Sequence, residues 1–184
     1  MTRRIYDREH VKAPGTPLSS KEMYQLPGTI EYTPVAKYMF TTGQALSKFL
    51  EELREGRIIG RKCTHCGRVY VPPRMYCEFC YRPTNEWIYL EGTGTVVTAV
   101  VSYIGTARER LEKPEIIGIV KLDVEGKEPQ GYDFPGLFHK FCNVSEDDVK
   151  TGKIIGTKVR PRWRPKDKRK GDITDIECFE PVEG

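Results

Sequence analysis

The sequence predicts a mainly β protein in which an N-terminal arm and one helix precede a cysteine-based metal ribbon and a small C-terminal barrel. Two C-x-x-C pairs lie close together in a chain of 184 residues. Helical periodicity is confined to a short stretch before these pairs, and apolar runs rich in β-branched residues fill the sequence after them. A chain of this length with 38% hydrophobic residues forms one or two compact domains with a core of modest size.

Residues 1–41 are predicted to form an extended arm. Its first 40 residues hold four prolines and no periodic apolar pattern, so we expect irregular structure that a partner or the remaining fold keeps in place. The arm is nevertheless rich in side chains that are enriched at protein interfaces, namely Tyr6, Met23, Tyr24, Tyr32, Tyr38, Met39 and Phe40. We therefore expect the arm to wrap a partner protein, and a loose tail is the alternative.

Residues 42–86 are predicted to contain an amphipathic helix and a ribbon. Thr42 is a candidate N-cap and Gly56 a candidate stop for this helix. Its apolar side chains fall on one face at helical spacing: Ala45, Leu46, Phe49, Leu50 and Leu53. A short strand over residues 57–62 then leads into the cysteines.

Four of the six cysteines form the two pairs, which ten residues separate; the four are Cys63, Cys66, Cys77 and Cys80. Each C-x-x-C turn directs two sulfurs at one point, so two facing turns supply the four ligands of a tetrahedral metal. All four positions are thiolates, which leaves no open position for a substrate and indicates a structural ion. Zinc is favoured, and iron with the same ligand set is the alternative. His65 is expected at the surface of the first turn and not as a ligand.

The remaining cysteines, Cys142 and Cys178, lie in apolar stretches far from the pairs and are predicted to be buried structural thiols. C-x-x-C pairs of this kind are typical of metal binding in a reducing compartment. We find no run of about 18 apolar residues, and the N-terminus lacks the apolar stretch of a secretory signal. These observations predict a cytoplasmic protein that is not embedded in a membrane.

Residues 87–184 are predicted to form a barrel of the OB type. Strand-like runs occupy residues 87–90, 94–104, 115–124, 137–144, 156–163 and 173–179, with glycines, prolines and charged clusters between them. About five strands over this length match the size of an OB barrel. Ser145 is the predicted N-cap of a single helical turn between two of the strands.

This order of elements resembles the DUF35 family, whose members join a rubredoxin-like zinc ribbon to an OB-fold. The resemblance runs from Thr42 to Pro181. It is carried by the four paired cysteines, Pro72-Pro73-Arg74 between the pairs, Gly92 and Gly94, and the segment Ile155-Gly156-Thr157-Lys158-Val159.

The resemblance implies a non-catalytic subunit that binds a thiolase-like enzyme in a hetero-oligomer and helps to hold coenzyme A. Within the family, the long arm makes the chain most similar to the small subunit of a benzoylsuccinyl-CoA thiolase of anaerobic toluene breakdown. The partner that the arm is expected to wrap would then be the thiolase subunit.

A basic stretch supplies a candidate for the coenzyme A contact. Residues 160–170 hold seven basic residues and one acid, whereas the rest of the chain has a net charge of −2. The alternating Arg160, Arg162 and Arg164 would share one face of a strand, and guanidinium groups suit phosphate oxygens. With Lys166 and Lys168 they are predicted to contact coenzyme A phosphates or an acidic partner surface. A solvated edge strand is the alternative.

The sequence contains no recognisable catalytic constellation. Neither His10 nor His139 has a nucleophile at a characteristic spacing, and His139 is expected to be a packed or half-exposed strand residue. We therefore expect another chain to supply the chemistry. The alternative function is a single-stranded nucleic-acid-binding module, because ribbons and OB barrels both bind single strands and Trp163 lies within the basic stretch. The confinement of positive charge to one stretch makes nucleic acid the less favoured partner.

Overall fold

The structure, a computed structural model, describes residues 19–25, 39–105, 109–124 and 134–182 of the chain. The chain divides into two compact units, Met1–Phe40 and Thr41–Gly184. In the described part of the first unit, residues Ser20–Gln25 form helix α1. The backbone N–H of Ser19 donates to Glu22 Oε2 at 2.8 Å, and Ser19 Oγ accepts from the Glu22 N–H at 3.3 Å.

The prediction of an entirely extended arm is therefore wrong for residues 20–25. A Ser-x-x-Glu capping box, which the sequence carries at Ser19 and Glu22, begins a helix without any apolar periodicity. Most of the aromatic residues predicted for the interface lie outside the described residues. Met39 and Phe40 are described and are strongly exposed.

Helix α2 spans Gly43–Arg54 and confirms the predicted amphipathic helix. It buries Ala45, Phe49 and Leu53. Thr42 occupies the N-cap position, but its side chain makes no capping hydrogen bond. The helix ends as predicted, because Gly56 adopts a φ of 78° and donates its N–H to Leu53 O at 2.9 Å.

A small antiparallel sheet supports the cysteine turns. Its strands are β1 (Ile58–Lys62), β2 (Val69–Tyr70) and β3 (Glu86–Leu90), in the order β2-β1-β3. Gly60 allows β2 to approach closely, since a Cβ at this position would lie 2.9 Å from both Tyr70 O and Val71 Cγ2. The sheet thereby holds in place the two strands, β1 and β2, that flank the first cysteine turn.

Five strands form a closed barrel, as the sequence predicts for an OB-fold. They are β4 (Gly94–Ile104), β5 (Arg110–Leu122), β6 (Gly136–Phe141), β7 (Lys158–Trp163) and β8 (Ile176–Pro181), in the closed order β4-β5-β6-β8-β7. The predicted run at residues 87–90 is not one of them, because it lies in β3 and pairs with β1 in the sheet of the ribbon. Helix α3 (Glu146–Lys150) lies between β6 and β7. Its predicted cap is confirmed, because Ser145 Oγ accepts from the Asp148 N–H at 3.1 Å. Two 3₁₀ turns, Lys166–Lys168 and Ile173–Asp175, precede β8.

One apolar core connects the barrel with the helix and with the sheet of the ribbon. Val120, Val159 and Phe179 are fully buried inside the barrel. Phe49 of α2 and Ile59 of β1 belong to the same cluster of buried residues. Burial of apolar surface is the main stabilising term for such a cluster. None of the helices among the described residues is both long and apolar enough to span a membrane.

The prediction of two separate buried thiols at Cys142 and Cys178 is wrong, because these residues form a disulfide. Their Cα atoms are 5.7 Å apart, and 36 positions separate them in sequence. Cys142 directly follows β6, and Cys178 lies in β8, the neighbour of β6 in the barrel. The adjacency of these two strands is a property of the barrel's topology, which the local sequence does not reveal.

Candidate metal centre

The first cysteine turn is shaped by backbone hydrogen bonds. The Gly67 N–H donates to Cys63 O at 2.7 Å, and the Cys63 N–H donates to Arg68 O at 2.8 Å. The turn requires a left-handed backbone at Gly67, whose φ is 76°. This conformation brings the sulfurs of Cys63 and Cys66 to the same side of the turn.

The second turn repeats this arrangement. The Tyr81 N–H donates to Cys77 O at 2.9 Å, and the Cys77 N–H donates to Arg82 O at 2.8 Å. Tyr81 therefore corresponds to Gly67 and adopts a φ of 53°, which is uncommon for a bulky side chain. The strained backbone at Tyr81 could not be predicted from the sequence, because the glycine of the first turn has no counterpart in the second.

The two turns bring all four paired cysteines together. Their Sγ atoms lie within 4.8 Å of one another, and the Cys66 and Cys77 sulfurs are 3.6 Å apart. Zinc–sulfur bonds of about 2.3 Å in a tetrahedron place the sulfurs roughly 3.8 Å from each other. The donor set and its spacing therefore fit one tetrahedral ion. Four thiolates at this distance repel one another, and a divalent cation between them offsets that repulsion.

The environment of the Cys77 sulfur favours its thiolate form. Burial disfavours its charged form, but hydrogen bonds from Tyr70 Oη at 3.1 Å and from the Cys80 N–H at 3.4 Å outweigh burial and lower its pKa to about 6. Burial and the contact with Cys77 both raise the pKa of Tyr70, which therefore keeps its proton. A protonated Tyr70 stabilises the negative charge of a ligating sulfur.

His65 lies at the exposed surface of the first turn, as predicted. Its Nδ1 atom is 3.4 Å from the Cys80 sulfur. The imidazole thus contacts a sulfur of the cluster from outside, and the four sulfurs complete the donor set without it.

Several contacts that stabilise the ribbon could not be predicted from the spacing of the cysteines. The Arg68 guanidinium lies 3.7 Å from the centroid of the Phe79 ring, which links the two turns. Thr84 is fully buried, and its hydroxyl accepts from Arg61 Nε at 2.9 Å. These contacts depend on how the turns fold back on each other, so the local pattern could not predict them.

Two of the three predicted arginines lie on β7. Arg160 Nε donates to Glu180 Oε1 at 3.1 Å, and Arg162 Nε donates to Glu177 Oε2 at 3.2 Å. Both glutamates belong to β8, the neighbour of β7. Strand β7 ends at Trp163, so Arg164 lies beyond the strand and does not extend the row.

The predicted lysines lie in the loop between β7 and β8. Lys166 Nζ is 3.4 Å from Glu55 Oε2, and Lys168 is exposed. The loop is held by the buried carboxylate of Asp175. This carboxylate accepts the backbone N–H groups of Lys170 at 2.9 Å, Gly171 at 2.7 Å and Asp172 at 3.2 Å.

His139 is a packed strand residue, as predicted. Its Nε2 atom is 3.1 Å from Ile173 O, and its ring meets the Phe179 ring edge-on with centroids 5.7 Å apart. Burial lowers the pKa of His139 and so favours the neutral imidazole.

A ribbon with four clustered cysteines and a closed five-stranded barrel define a zinc-ribbon and OB-fold protein. Residues 50–86 match the ChsH2 rubredoxin-like zinc ribbon domain, and residues 87–164 match the ChsH2 C-terminal OB-fold domain. A DUF35 domain-containing scaffold protein of Methanocaldococcus jannaschii is 32% identical over 129 residues, which are 68% of this chain and 82% of that protein. The chain therefore belongs to the DUF35 family, and its rubredoxin-like ribbon with four clustered cysteines indicates a structural metal.

Solved structures show the same fold. A DUF35 family protein of unknown function from Sulfolobus solfataricus superposes with a TM-score of 0.52 at 23% identity, covering 77% of this chain and 87% of its own. A chain of the Ltp2-ChsH2(DUF35) aldolase superposes with a TM-score of 0.53 at 18% identity, covering 78% of this chain and 98% of its own. At these identities the likeness establishes the fold.

Proposed function

We propose that this protein is the non-catalytic accessory subunit of a thiolase-type acyl-CoA enzyme. The observation that carries the proposal is the closed cysteine cluster, because four sulfurs within 4.8 Å give a metal a structural role and leave it no position for a substrate. A relative named as a scaffold protein and a neighbour named as an aldolase complex support the same role. The chain would then position a catalytic subunit whose own residues perform the reaction.

The partner is best identified by purification from the native source. The protein should co-purify with a thiolase-like chain in a hetero-oligomer, and the isolated chain should neither cleave nor join acyl thioesters. Turnover by the isolated, metal-loaded chain would contradict the accessory role. The acyl substrate that we propose is benzoylsuccinyl-CoA, and the purified complex should cleave it in the presence of coenzyme A.

The domain division is part of the proposal. We assign residues 1–41 to an arm that lies on the catalytic subunit, residues 42–86 to the helix and ribbon, and residues 87–184 to the OB-fold domain, whose first residues, 87–90, pair with β1 of the ribbon. Limited proteolysis with and without the catalytic subunit tests the arm. Protection of residues 1–41 should develop only in the complex, and cleavage at equal rates in both samples would exclude the wrapping role.

We propose that zinc is bound by Cys63, Cys66, Cys77 and Cys80, with iron as the alternative. Elemental analysis should find one metal ion per chain, and a colourless protein would distinguish zinc from a coloured iron–thiolate centre. A Cys77→Ser variant should lose the metal, whereas the matched His65→Ala variant should retain it because His65 contacts the cluster only from outside.

We propose that coenzyme A phosphates contact the basic residues Arg160, Arg162, Arg164, Lys166 and Lys168. Arg160 and Arg162 are exposed, and their ion pairs with Glu180 and Glu177 are of the surface type. Such pairs contribute about 1 kcal/mol or less, so a phosphate can replace a carboxylate partner at little cost. An acidic surface of the catalytic subunit is the other candidate for this contact.

Substitution of the three arginines by alanine tests the coenzyme A contact in the assembled complex. We expect at least a tenfold loss of coenzyme A affinity, because each phosphate contact is a charge-assisted hydrogen bond of about 1.5–3 kcal/mol. Lys140→Ala is the matched control, since Lys140 is an exposed cation paired with Glu115 on a different pair of strands. Unaltered affinity in the triple variant would remove the proposal.

Single-stranded nucleic acid is the second candidate ligand. The guanidinium of Arg169 lies 5.4 Å from the centroid of the Trp163 ring and covers the face on which a base would stack. A gel-shift titration with a single-stranded oligonucleotide at two salt concentrations separates the candidates. Salt-dependent retention of the oligonucleotide would favour the nucleic-acid role over the accessory role.

A further inference from the structure

The barrel closes between β6 and β8, and the backbone pairing at this seam is short. The two strands are parallel and are matched at one residue pair, Phe141 with Phe179. The Cys142 N–H adds one hydrogen bond to Phe179 O at 2.9 Å. By contrast, β5 and β6 are matched at six residue pairs and β7 and β8 at five, while the other short seam, between β4 and β7, is matched at two. Closure at this seam therefore depends on more than backbone hydrogen bonds.

The Cys142–Cys178 disulfide spans this seam. Cys142 follows Phe141 and Cys178 precedes Phe179, so the cross-link lies directly beside the one matched pair. Cys178 is 4% exposed, whereas Cys142 is partly exposed. Cys142 is therefore the more accessible of the two residues to an external thiol.

The cross-link also anchors β8, the strand that carries the carboxylate partners of Arg160 and Arg162. Cys178 lies in β8 between Glu177 and Glu180, which accept from Arg162 and Arg160 of β7. Asn143, next to the disulfide, donates through Nδ2 to Glu180 Oε2 at 3.3 Å. Strand β8 thus connects the disulfide at the β6–β8 seam with Arg160 and Arg162 of β7.

We propose that Cys142 and Cys178 form a thiol–disulfide switch that controls closure of the barrel. A reducing dithiol attacks the Cys142 sulfur as a thiolate, and Cys178 leaves as a thiolate that takes up a proton. The second thiol of the reductant then attacks the mixed disulfide and releases Cys142. The dithiol gives up two electrons and leaves as a disulfide. Reduction removes the covalent link between β8 and the end of β6 and loosens the support of Arg160 and Arg162.

Thermal unfolding of the full-length chain tests the structural part of the switch. The oxidised chain is compared with a chain reduced by a phosphine, in buffer that contains zinc so that the four paired cysteines keep their metal. Removal of a cross-link over 36 positions should lower the Tm by about 10 °C. Alkylation followed by mass spectrometry should show two additional free thiols after reduction.

A variant with both Cys142→Ala and Cys178→Ala is the control. Its Tm should match that of the reduced chain and should not respond to the phosphine. Equal Tm values for the oxidised and reduced forms of the unaltered chain would overturn the switch. Failure of the disulfide to form again in a glutathione-disulfide buffer would also overturn it, because a switch must be reversible.

The effect of the switch on ligand binding rests on the proposed function. In the assembled complex, reduction should weaken coenzyme A binding about threefold, since two surface ion pairs lose their fixed geometry. If neither redox form binds coenzyme A, the proposed ligand is wrong while the switch remains supported by the Tm difference. Equal affinities of the two forms would restrict the switch to stability and overturn its role in binding.

Discussion

The cysteine turns and the barrel are both small structures, yet different interactions stabilise them. In the segment of residues 63–80, the local cluster of buried residues consists of Cys63, Tyr70 and Cys77. The barrel instead contributes to one extensive apolar core, which includes Val120 and Phe179. The turns therefore depend on a metal ion for their order, whereas the barrel depends on burial of apolar surface. The cysteines follow the same division, because the turns hold free sulfurs and the barrel holds a disulfide.

Removal of the metal should have the largest effect and should act on the turns alone. A structural zinc site contributes about 10 kcal/mol or more to folding, so a strong chelator or Cys63→Ser should disorder residues 63–80. Nuclear magnetic resonance spectra should lose the dispersed signals of these residues and keep those of the barrel. Complete unfolding on chelation would show that the two regions do not differ in the way proposed.

Loss of a core side chain should produce the opposite result. Phe179 is fully buried, and Phe179→Ala should lower the free energy of unfolding by about 3–5 kcal/mol. The metal content of the folded variant should remain unchanged. Phe138→Ala is the matched control, since Phe138 is 62% exposed and should cost less than about 1 kcal/mol. An equal loss of stability in both variants would mean that Phe179 is no more deeply buried than Phe138.

The loop that carries the basic residues should be the next most sensitive region. Asp175→Ala leaves three backbone N–H groups without their carboxylate acceptor, and we expect a loss of about 2–3 kcal/mol. Denaturant unfolding measures this loss. Asp167→Ala removes an exposed carboxylate from the same loop and should be nearly neutral. A neutral Asp175→Ala would mean that the loop holds its shape by other contacts.

The smallest expected effect distinguishes the two cysteine turns from each other. Tyr81 occupies the position of Gly67 with a φ of 53°, so Tyr81→Gly should relieve strain and stabilise the metal-loaded turn by about 1 kcal/mol. The reciprocal change, Gly67→Ala, should destabilise it by a similar amount. Competition for zinc with a chromophoric chelator measures both. If both substitutions changed the zinc affinity in the same direction, the backbone strain at Tyr81 would not distinguish the second turn from the first.

Local chemistry in the sequence accounts for much of the fold. The spacing of the paired cysteines, the apolar face that contains Phe49, and the caps at Gly56 and Ser145 all depend on residues within a few positions of one another. Helix α1 also has a local signal, the capping box that begins at Ser19. The segment lacks apolar periodicity, so no helix is predicted there.

Features that join distant strands could not be predicted in this way. The disulfide needs β6 beside β8, and the pairing of Arg160 with Glu180 needs β7 beside β8. Both relations follow from closure of the barrel, which brings together segments far apart in the chain. The alternation of Arg160, Arg162 and Arg164 correctly indicates a strand, but β7 ends at Trp163, next to a register shift in its pairing with β8.

Strand β1 has a consequence for the order in which the molecule matures. Ile58 and Ile59 are packed in the same core as the barrel, and Cys63 follows this strand directly. Burial of these side chains does not require the ion, so we expect it to hold the first cysteine turn near the core in the metal-free chain as well. We therefore expect a metal-free chain to fold its barrel and helix first and to take up the ion afterwards.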